Sequence, residues 1–424
     1  MIRRSTASRG LALAAVLSVG LAACSTSGDG GEGGGSAEPL TIGTILPVTG
    51  SLAYLGPPEF AGVGLAVDEI NAAGGVLGNE VALETGDSGD STDMSVSTNT
   101  ATDLISNGVD VAIGAASSSV SQNVVDQFTE AGVLQISPAN TSTELSGVSD
   151  LFARTAPPDT VQGAALGSLI LDGGHQKVAF LVQNETYGTG LRDVVQSTIE
   201  AAGAEVVYGG TDDGDEFAPG ETNFSSIVTD VLAAKPDAIA IIAFEETTAA
   251  VSELVSQGWD FNGTTYFCDG NTADYSEDFD PGTLEGVIGT IPGADPEQTF
   301  KDDANAWYEE NEGEALTDYA YAAESYDAVI LAALAAVKAE STTGTDIAAE
   351  LRAVSGSNGG TEVSSFEEGV AALEAGEEIH YTGVSGIGPI NEDNDPSSAF
   401  VGVYEYDGDN KNIWTRVIEG SVEG

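Results

Sequence analysis

The regular alternation of short apolar runs with longer segments of helical period is the feature that most limits how this chain can fold. Leu40 to Leu46 is a run of strand length, and Glu59 to Ala72 places Val63, Val67 and Ile70 on one helical face before Gly74-Gly75 ends it. The pair repeats as strand 80–85, helix around 101–105, strand 109–113, helix 120–130 and strand 133–136. Such βαβ repetition predicts a parallel sheet covered by helices on both faces.

A second series starts near Thr160. Strands are predicted at 178–182, 205–208, 238–243 and 265–267, with helices near 191–201, 225–234 and 248–257. Ala156-Pro157-Pro158 divides the two series, because paired prolines continue neither element and favour an extended crossover. Beyond Val287 come long helices at 297–310, 319–338 and 347–354, then β-like segments at 400–406 and 413–417 around Asp407-Gly408-Asp409-Asn410. Ala328 to Val337 reads as part of an amphipathic helix, and no later apolar run is long and unbroken enough to span a bilayer. The expected fold is α/β, with two doubly wound parallel-sheet lobes joined by three crossing segments near residues 156, 290 and 384. The simplest assembly returns the helical block to the first lobe, giving residues 40–156 plus 291–383. The final strands return to the second, giving 157–290 plus 384–424.

The amino terminus reads as an export signal. Arg3, Arg4 and Arg9 precede an apolar stretch from Gly10 to Leu21, too short to anchor stably across a membrane. Leu21-Ala22-Ala23-Cys24 resembles the bacterial lipobox, which implies removal of residues 1–23 and diacylation of Cys24. Residues 24–39 would then form a flexible Ser/Gly-rich tether. The chain carries 12 basic against 68 acidic residues, a formal net charge of −56. Nucleic acid and anionic membrane surfaces are thereby disfavoured, leaving membrane contact through the lipid alone. With Cys24 taken by lipid, Cys268 has no partner for a disulfide.

In open parallel sheets, ligands bind beyond the carboxyl ends of the strands, where helix N-termini present free N–H groups. Two such loops in the first series are small and rich in hydroxyls: Gly114-Ala115-Ala116-Ser117-Ser118-Ser119 and Ser137-Pro138-Ala139-Asn140-Thr141. Hydroxyls and exposed amides suit a carboxylate. In the second series the strand ends carry Phe244-Glu245-Glu246 and Cys268-Asp269-Gly270, with Tyr187-Gly188 at a helix entrance. An acid with aromatics would match an ammonium and a side chain.

An enzyme reading finds little to build on. His175 and His380 stand apart from any Cys or recurrent acid spacing, and neither a G-x-S-x-G elbow nor a phosphate-binding P-loop occurs. Cys268 beside Asp269 is a poor thiolate and reads as a packed small hydrophobe. Asp212 to Glu216 and Asn391 to Asp395 lack the full calcium-ligand spacing and read as solvated loops. Neither a metal nor a cofactor is expected.

Six stretches together resemble the periplasmic leucine/isoleucine/valine-binding family of ABC transporter substrate-binding proteins, in its lipoprotein form. They are Ile42 to Gly50 (IGTILPVTG), Asp68 to Gly78 (DEINAAGGVLG), Ile113 to Gln122 (IGAASSSVSQ), Ile136 to Leu145 (ISPANTSTEL), Phe152 to Thr155 (FART) and Tyr187 to Leu191 (YGTGL). The resemblance implies a type I periplasmic-binding-protein fold and an α-amino-acid site. Ser118 and Thr141 would bind the carboxylate, Ala139 would offer backbone groups beside Asn140, Asp269 would take the ammonium and Tyr187 would line the cleft. It also implies an extracytoplasmic, lipid-anchored monomer serving ABC permease subunits with cytoplasmic ATPase subunits. Departures lie in the side-chain pocket: Phe244 stands where close relatives have a tyrosine, Leu55 beside Tyr54 where another is usual, and Asp269 is one methylene shorter than the usual Glu. Amides, urea-like compounds and aromatic acids therefore remain alternative ligands, with a cationic ligand of Glu245 and Glu246 ranked third. A ligand sensor working through a separate signalling partner is the other class.

Overall fold

The structure is a computed structural model that describes residues 38–421 of the 424. The expected signal peptide, Cys24 and all but the end of the tether lie outside the described residues. Five parallel strands form the first sheet: β1 (Thr41–Leu46), β2 (Ala82–Asp87), β3 (Val111–Gly114), β4 (Leu134–Ser137) and β5 (Phe152–Arg154), in the order β2-β1-β3-β4-β5. Between them run α1 (Gly56–Ala72), α2 (Ser95–Ser106) and α3 (Ser118–Ala131). Pro57 and Pro58 fit the first turn of α1, where a missing N–H costs no helical bond. Strand β2 begins two residues later than its sequence predicts. Asn71 explains the shift: its side chain accepts from the Val81 amide at 2.7 Å and donates to the Val81 carbonyl at 3.2 Å.

The second sheet has seven strands: β6 (Lys177–Val182), β7 (Glu205–Tyr208), β8 (Ala238–Ile242), β9 (Thr265–Phe267), β10 (Ile288–Pro292), and, later in the chain, β13 (Ser398–Tyr406) and β14 (Asn412–Ser421). Their order is β14-β13-β10-β9-β8-β6-β7, parallel except for the β10–β13–β14 end. The helices are α4 (Asp159–Asp172), α5 (Thr186–Ala201), α6 (Ser225–Ala233) and α7 (Glu246–Gln257). Successive residues of β6 face opposite layers, as period-two geometry requires. Val178, Phe180 and Val182 pack with Leu166, Leu191 and Val195, whereas Ala179 and Leu181 pack with Val228 and Val251.

Strand β10 is absent from the sequence reading. Gly289 and Pro292 are poor strand residues in isolation, but a side chain at Gly289 would strike that of Thr272, 2.4 Å from the ideal Cβ position. The glycine is thus set by a tertiary contact that no local pattern reports. The short strand β5 and helix α4 also went unplaced.

The later helices α8 (Gln298–Asn311), α9 (Ala322–Ala339), α10 (Gly344–Val354) and α11 (Phe366–Glu374) pack with α1 and the first sheet, beside a two-stranded sheet of β11 (Thr361–Val363) and β12 (Ile379–Tyr381). The expectation that 328–337 lies in an amphipathic helix is corrected: α9 is buried on every side from Ala322 to Ala336. Helices α1, α10 and α11 surround it. Its Asp327 is therefore satisfied internally, by the Tyr381 hydroxyl at 2.7 Å and by the Val384 and Ser385 amides. No helix among the described residues is long and apolar enough to cross a membrane.

Three segments pass between the halves: Thr155 to Pro158, the stretch after β10, and the stretch before β13. The end of β5, where the first begins, is joined to the third by a buried ion pair, Arg154 Nε to Asp395 at 2.5 Å. Arg154 also donates to the Ser142 carbonyl at 2.9 Å and to Ser146 Oγ at 2.7 Å. Asn391 to Asp395 is therefore not simply a solvated loop, since Asp395 is 2 % exposed and is the counter-ion of Arg154. Removing one partner leaves a buried charge uncompensated, so Asp395→Ala should lower unfolding stability by about 3–5 kcal/mol. Urea unfolding checks this, and a loss under about 1 kcal/mol would show that the pair does not bind the crossings together.

Candidate functional site

The strand-end loops of both sheets meet around one small cavity. On the first sheet, Ser117 caps α3, its hydroxyl oxygen accepting from the Val120 amide at 3.4 Å. Ser137, the last residue of β4, shapes the next loop. Its hydroxyl donates to the Ala115 carbonyl at 2.7 Å and accepts from the amides of Ala139 and Asn140. Ser118 Oγ accepts from the Thr141 and Ser142 amides at 3.4 and 3.2 Å, which leaves its hydroxyl proton for another acceptor. Thr141 Oγ1 is buried and makes no well-formed hydrogen bond within the protein. Asn140 serves the scaffold more than the cavity: its amide nitrogen donates to Ser121 Oγ at 2.8 Å and to the Ala115 carbonyl.

On the second sheet, Asp269 follows β9 in a tight turn fixed by Asn271, whose Oδ1 accepts from the Cys268 amide at 2.8 Å. The Asp269 carboxylate takes hydrogen bonds from Tyr187 at 2.5 Å, Gln162 at 2.9 Å and Tyr321 at 2.7 Å. Tyr54 donates to its backbone carbonyl at 3.3 Å. The Tyr187 ring stacks on Phe244, centroids 5.3 Å apart and planes 11° from parallel.

Asp159, the first residue of α4, is fully buried, and neither carboxyl oxygen makes a well-formed hydrogen bond. Its amide donates to the Thr141 carbonyl at 2.7 Å, which places it against the loop of the first sheet. Burial, then the charge of Asp269, pushes the Asp159 carboxyl well above the ordinary aspartate range, opposed by the Thr141 hydroxyl and Arg154. Burial also raises Asp269, against the pull of its three donors. Burial followed by the Asp269 charge raises the phenols of Tyr187 and Tyr321, which therefore act as neutral donors.

The cavity is small, with about 20 Å³ of free space. Ser118, Ala139, Asn140, Thr141, Tyr187, Phe244, Asp269 and Leu55 all line it, with Tyr54 joined through the Asp269 carbonyl. Leu52, Ala116, Ser117, Gly270 and Tyr321 complete the lining. Sequence reasoning missed Tyr321, Asp159 and Gln162. Asp159 follows Pro157-Pro158, which in sequence marks only a boundary, and as the opening residue of a helix it carries the ordinary signal of a first-turn acid. Tyr321 has no local signal: its left-handed backbone (φ 60°) and its position before α9 emerge only from the fold.

Glu245 and Glu246 do not line this cavity. Glu245 is exposed, and buried Glu246 accepts from Gln183 at 2.9 Å and the Gly220 amide at 2.7 Å, tying together loops of the second sheet. Cys268 is buried, its thiol raised by burial and by Asp269. Among the described residues no group of three or more His, Cys, Asp or Glu is placed to hold a metal ion.

A sequence model of the periplasmic binding protein family matches residues 39–376. The Leu/Ile/Val-binding protein BraC3 of Rhizobium johnstonii is 32% identical over 203 residues, 47% of this chain and 53% of that protein. The Leu/Ile/Val-binding protein of Escherichia coli K12 is 31% identical over 194 residues, 45% of this chain and 51% of its own length. The chain thus aligns with about half the length of these two curated relatives. Among solved structures, the leucine binding protein LivK of Thermotoga maritima superposes with a TM-score of 0.72 at 23% identity, covering 89% of this chain and 98% of the other. A solute-binding protein from R. palustris in complex with benzoate gives 0.68 at 18% identity, over 91% and 98% of the two chains. These likenesses bear on the fold.

Tyr187→Phe keeps the stack on Phe244 while removing the hydroxyl that bridges Asp269 and the Gly270 amide. It should cost about 1.5–3 kcal/mol of stability, the range for a hydrogen bond to a charged group. A denaturant series comparing Tyr187→Phe with the wild type measures it, and equal midpoints would remove Tyr187 from the support of Asp269.

Proposed function

The chain belongs to the periplasmic binding protein family, and from that premise we propose that it is the extracytoplasmic solute-binding component of an ABC importer, closing two lobes around an α-amino acid. The lobes are residues 40–156 plus 291–383 and 157–290 plus 384–424, and they rotate about the three crossing segments. Cys24 would hold the protein to the membrane through its lipid, and permease subunits would read the closed shape.

One observation carries the ligand class: the buried carboxyl of Asp269 lines a small cavity with Ser118, whose hydroxyl proton is free for an acceptor, and Thr141, whose Oγ1 makes no well-formed hydrogen bond, while the buried carboxyl of Asp159 lies near enough to feel the Asp269 charge. Two acids side by side are costly unless a cation joins them. An α-ammonium supplies that cation, and an α-carboxylate supplies the acceptor that Ser118 and Thr141 lack. Leu52, Leu55, Ala116 and Phe244 offer the side chain an apolar wall. The ligands of the relatives, leucine, isoleucine and valine, agree with this chemistry. Benzoate, bound by one structural neighbour, would bring a carboxylate to Asp159 and Asp269 without a cation and fits less well. Amides and urea-like compounds leave the carboxyl pair without a full cation.

Thermal-shift screening of L-leucine, L-isoleucine, L-valine, the other common amino acids and benzoate tests the class, since a ligand of the folded state raises Tm. An amino acid should give the largest shift. Asp159→Asn and Asp269→Asn should each weaken its binding at least about 30-fold, because a desolvated ammonium then loses a counter-ion. If both variants bind amino acids as tightly as the wild type, the assignment falls.

The raised carboxyl of Asp159 adds a pH signature. Before binding it holds its proton to higher pH than an ordinary aspartate, whereas the ammonium complex favours the ionised form. Binding must therefore release protons, and affinity should climb as pH rises from the ordinary aspartate range through the raised value. Calorimetry in two buffers of different ionisation enthalpy reads the release directly. Proton uptake would reverse the sign and refute the pairing.

A further inference from the structure

Outside the cavity, the N-termini of α3 and α5 face one another across the cleft, and the residues between them are bonded reciprocally. Glu185 precedes α5 and caps it, Oε2 accepting from the Tyr187 amide at 2.8 Å. Its other oxygen crosses to the first lobe, where Oε1 accepts from the Ser119 amide and from Ser117 Oγ, both at 3.1 Å. The return contact comes from α5: the Thr186 amide donates to Ser119 Oγ at 3.2 Å. The Thr186 hydroxyl also meets Gln122 Oε1 at 3.1 Å. Glu185 is 6 % exposed and does not line the ligand cavity.

Within one helix, a capping box satisfies two otherwise partnerless N–H groups by exchanging side-chain acceptors. Here the exchange runs between helices of different lobes, with Glu185 accepting for α3 and Ser119 accepting for α5. Both helix ends carry partial positive charge and would repel if brought together bare, whereas one carboxylate between them turns repulsion into attraction. Separating the lobes would leave Glu185 capping α5 but strip α3 of that acceptor. The bond is therefore specific to the closed form.

We infer that Glu185 is a positioning residue for closure, a carboxylate latch that caps α3 and α5 at once and slows reopening without touching the ligand. The inference rests on the two-lobe binding reading, which supplies the opening motion. A latch made only on closing acts on escape: its loss should raise the rate of ligand release and leave the encounter rate nearly unchanged.

The test combines Glu185→Gln, Glu185→Ala and Ser119→Ala with the double variant Glu185→Ala/Ser119→Ala, using L-leucine as probe in stopped-flow dissociation. Glu185→Gln keeps the size of the side chain but turns its amide donors toward an N–H group, so it guards against simple loss of folding in Glu185→Ala. Both Glu185 variants should release L-leucine about 10-fold faster, with association changed less than about 3-fold. The double variant should fall short of the product of the single effects, because both residues belong to one exchange. Strictly multiplicative effects, or a lowered Tm with unchanged release, would reduce Glu185 to an ordinary cap of α5 and overturn the latch. Small-angle scattering of the ligand-free protein needs no amino acid: Glu185→Ala should have a larger radius of gyration than the wild type, and equal radii would also overturn it. If the wild type fails to bind L-leucine, that result counts against the ligand proposal while the scattering comparison still judges the latch.

Discussion

Scarcity of positive charge governs how this protein organises its interior. With 68 acidic residues against 12 basic ones, most carboxylates that enter the fold must be satisfied by neutral donors. Asp327 is held by Tyr381 and two amides, Asp269 by two tyrosines and a glutamine, Glu246 by Gln183 and the Gly220 amide, and Glu185 by helix ends. Asp395 receives a buried arginine, and that pair stands at the crossing between the lobes. Neutral donors stabilise an anion less than a cation does, so burial still raises the carboxyls of Asp269 and Asp327. Asp159 lacks even neutral donors of good geometry. The cavity lined by Asp269, whose charge Asp159 feels, is where an incoming cation would relieve the largest electrostatic cost.

The sequence made the architecture legible wherever hydrophobic period and strand length agreed. Strands β7 and β9 fall on their predicted residues and α1 ends just before its Gly74-Gly75 stop, whereas α2 and α5 start several residues earlier than their apolar period marks. Legibility failed where a tertiary neighbour chose the residue. Gly289 lies in a strand because Thr272 fills the space above it, and α9 is buried on all sides because other helices enclose it. The same division runs through the site. Ser118, Thr141, Tyr187 and Asp269 sit at strand ends or helix entrances, places that topology marks in advance. Tyr321 and Gln162 reach Asp269 from elements distant in sequence, and Asp159 looks like any helix-opening acid until its lack of partners is seen.

The proposed closure would have two separable supports. The ligand would join the lobes through the cavity, where Asp159 and Asp269 face the loops carrying Ser118 and Thr141. The helix ends would join them beside it, through Glu185 and Ser119. Affinity and residence time could then change independently: alterations around Phe244 and Leu55 act on which side chain is accepted, and alterations at the helix ends act on how long the closed form lasts.

Cys268 carries a different consequence. It is free, buried beneath the turn that carries Asp269, and its thiol is raised by burial and by that aspartate. The described fold therefore owes no stability to a disulfide and needs no oxidising catalyst to mature. It can be refolded under reducing conditions without shuffling bridges. A single cysteine introduced on its surface would react with a maleimide dye far ahead of Cys268, which would make the proposed closing motion open to optical readout.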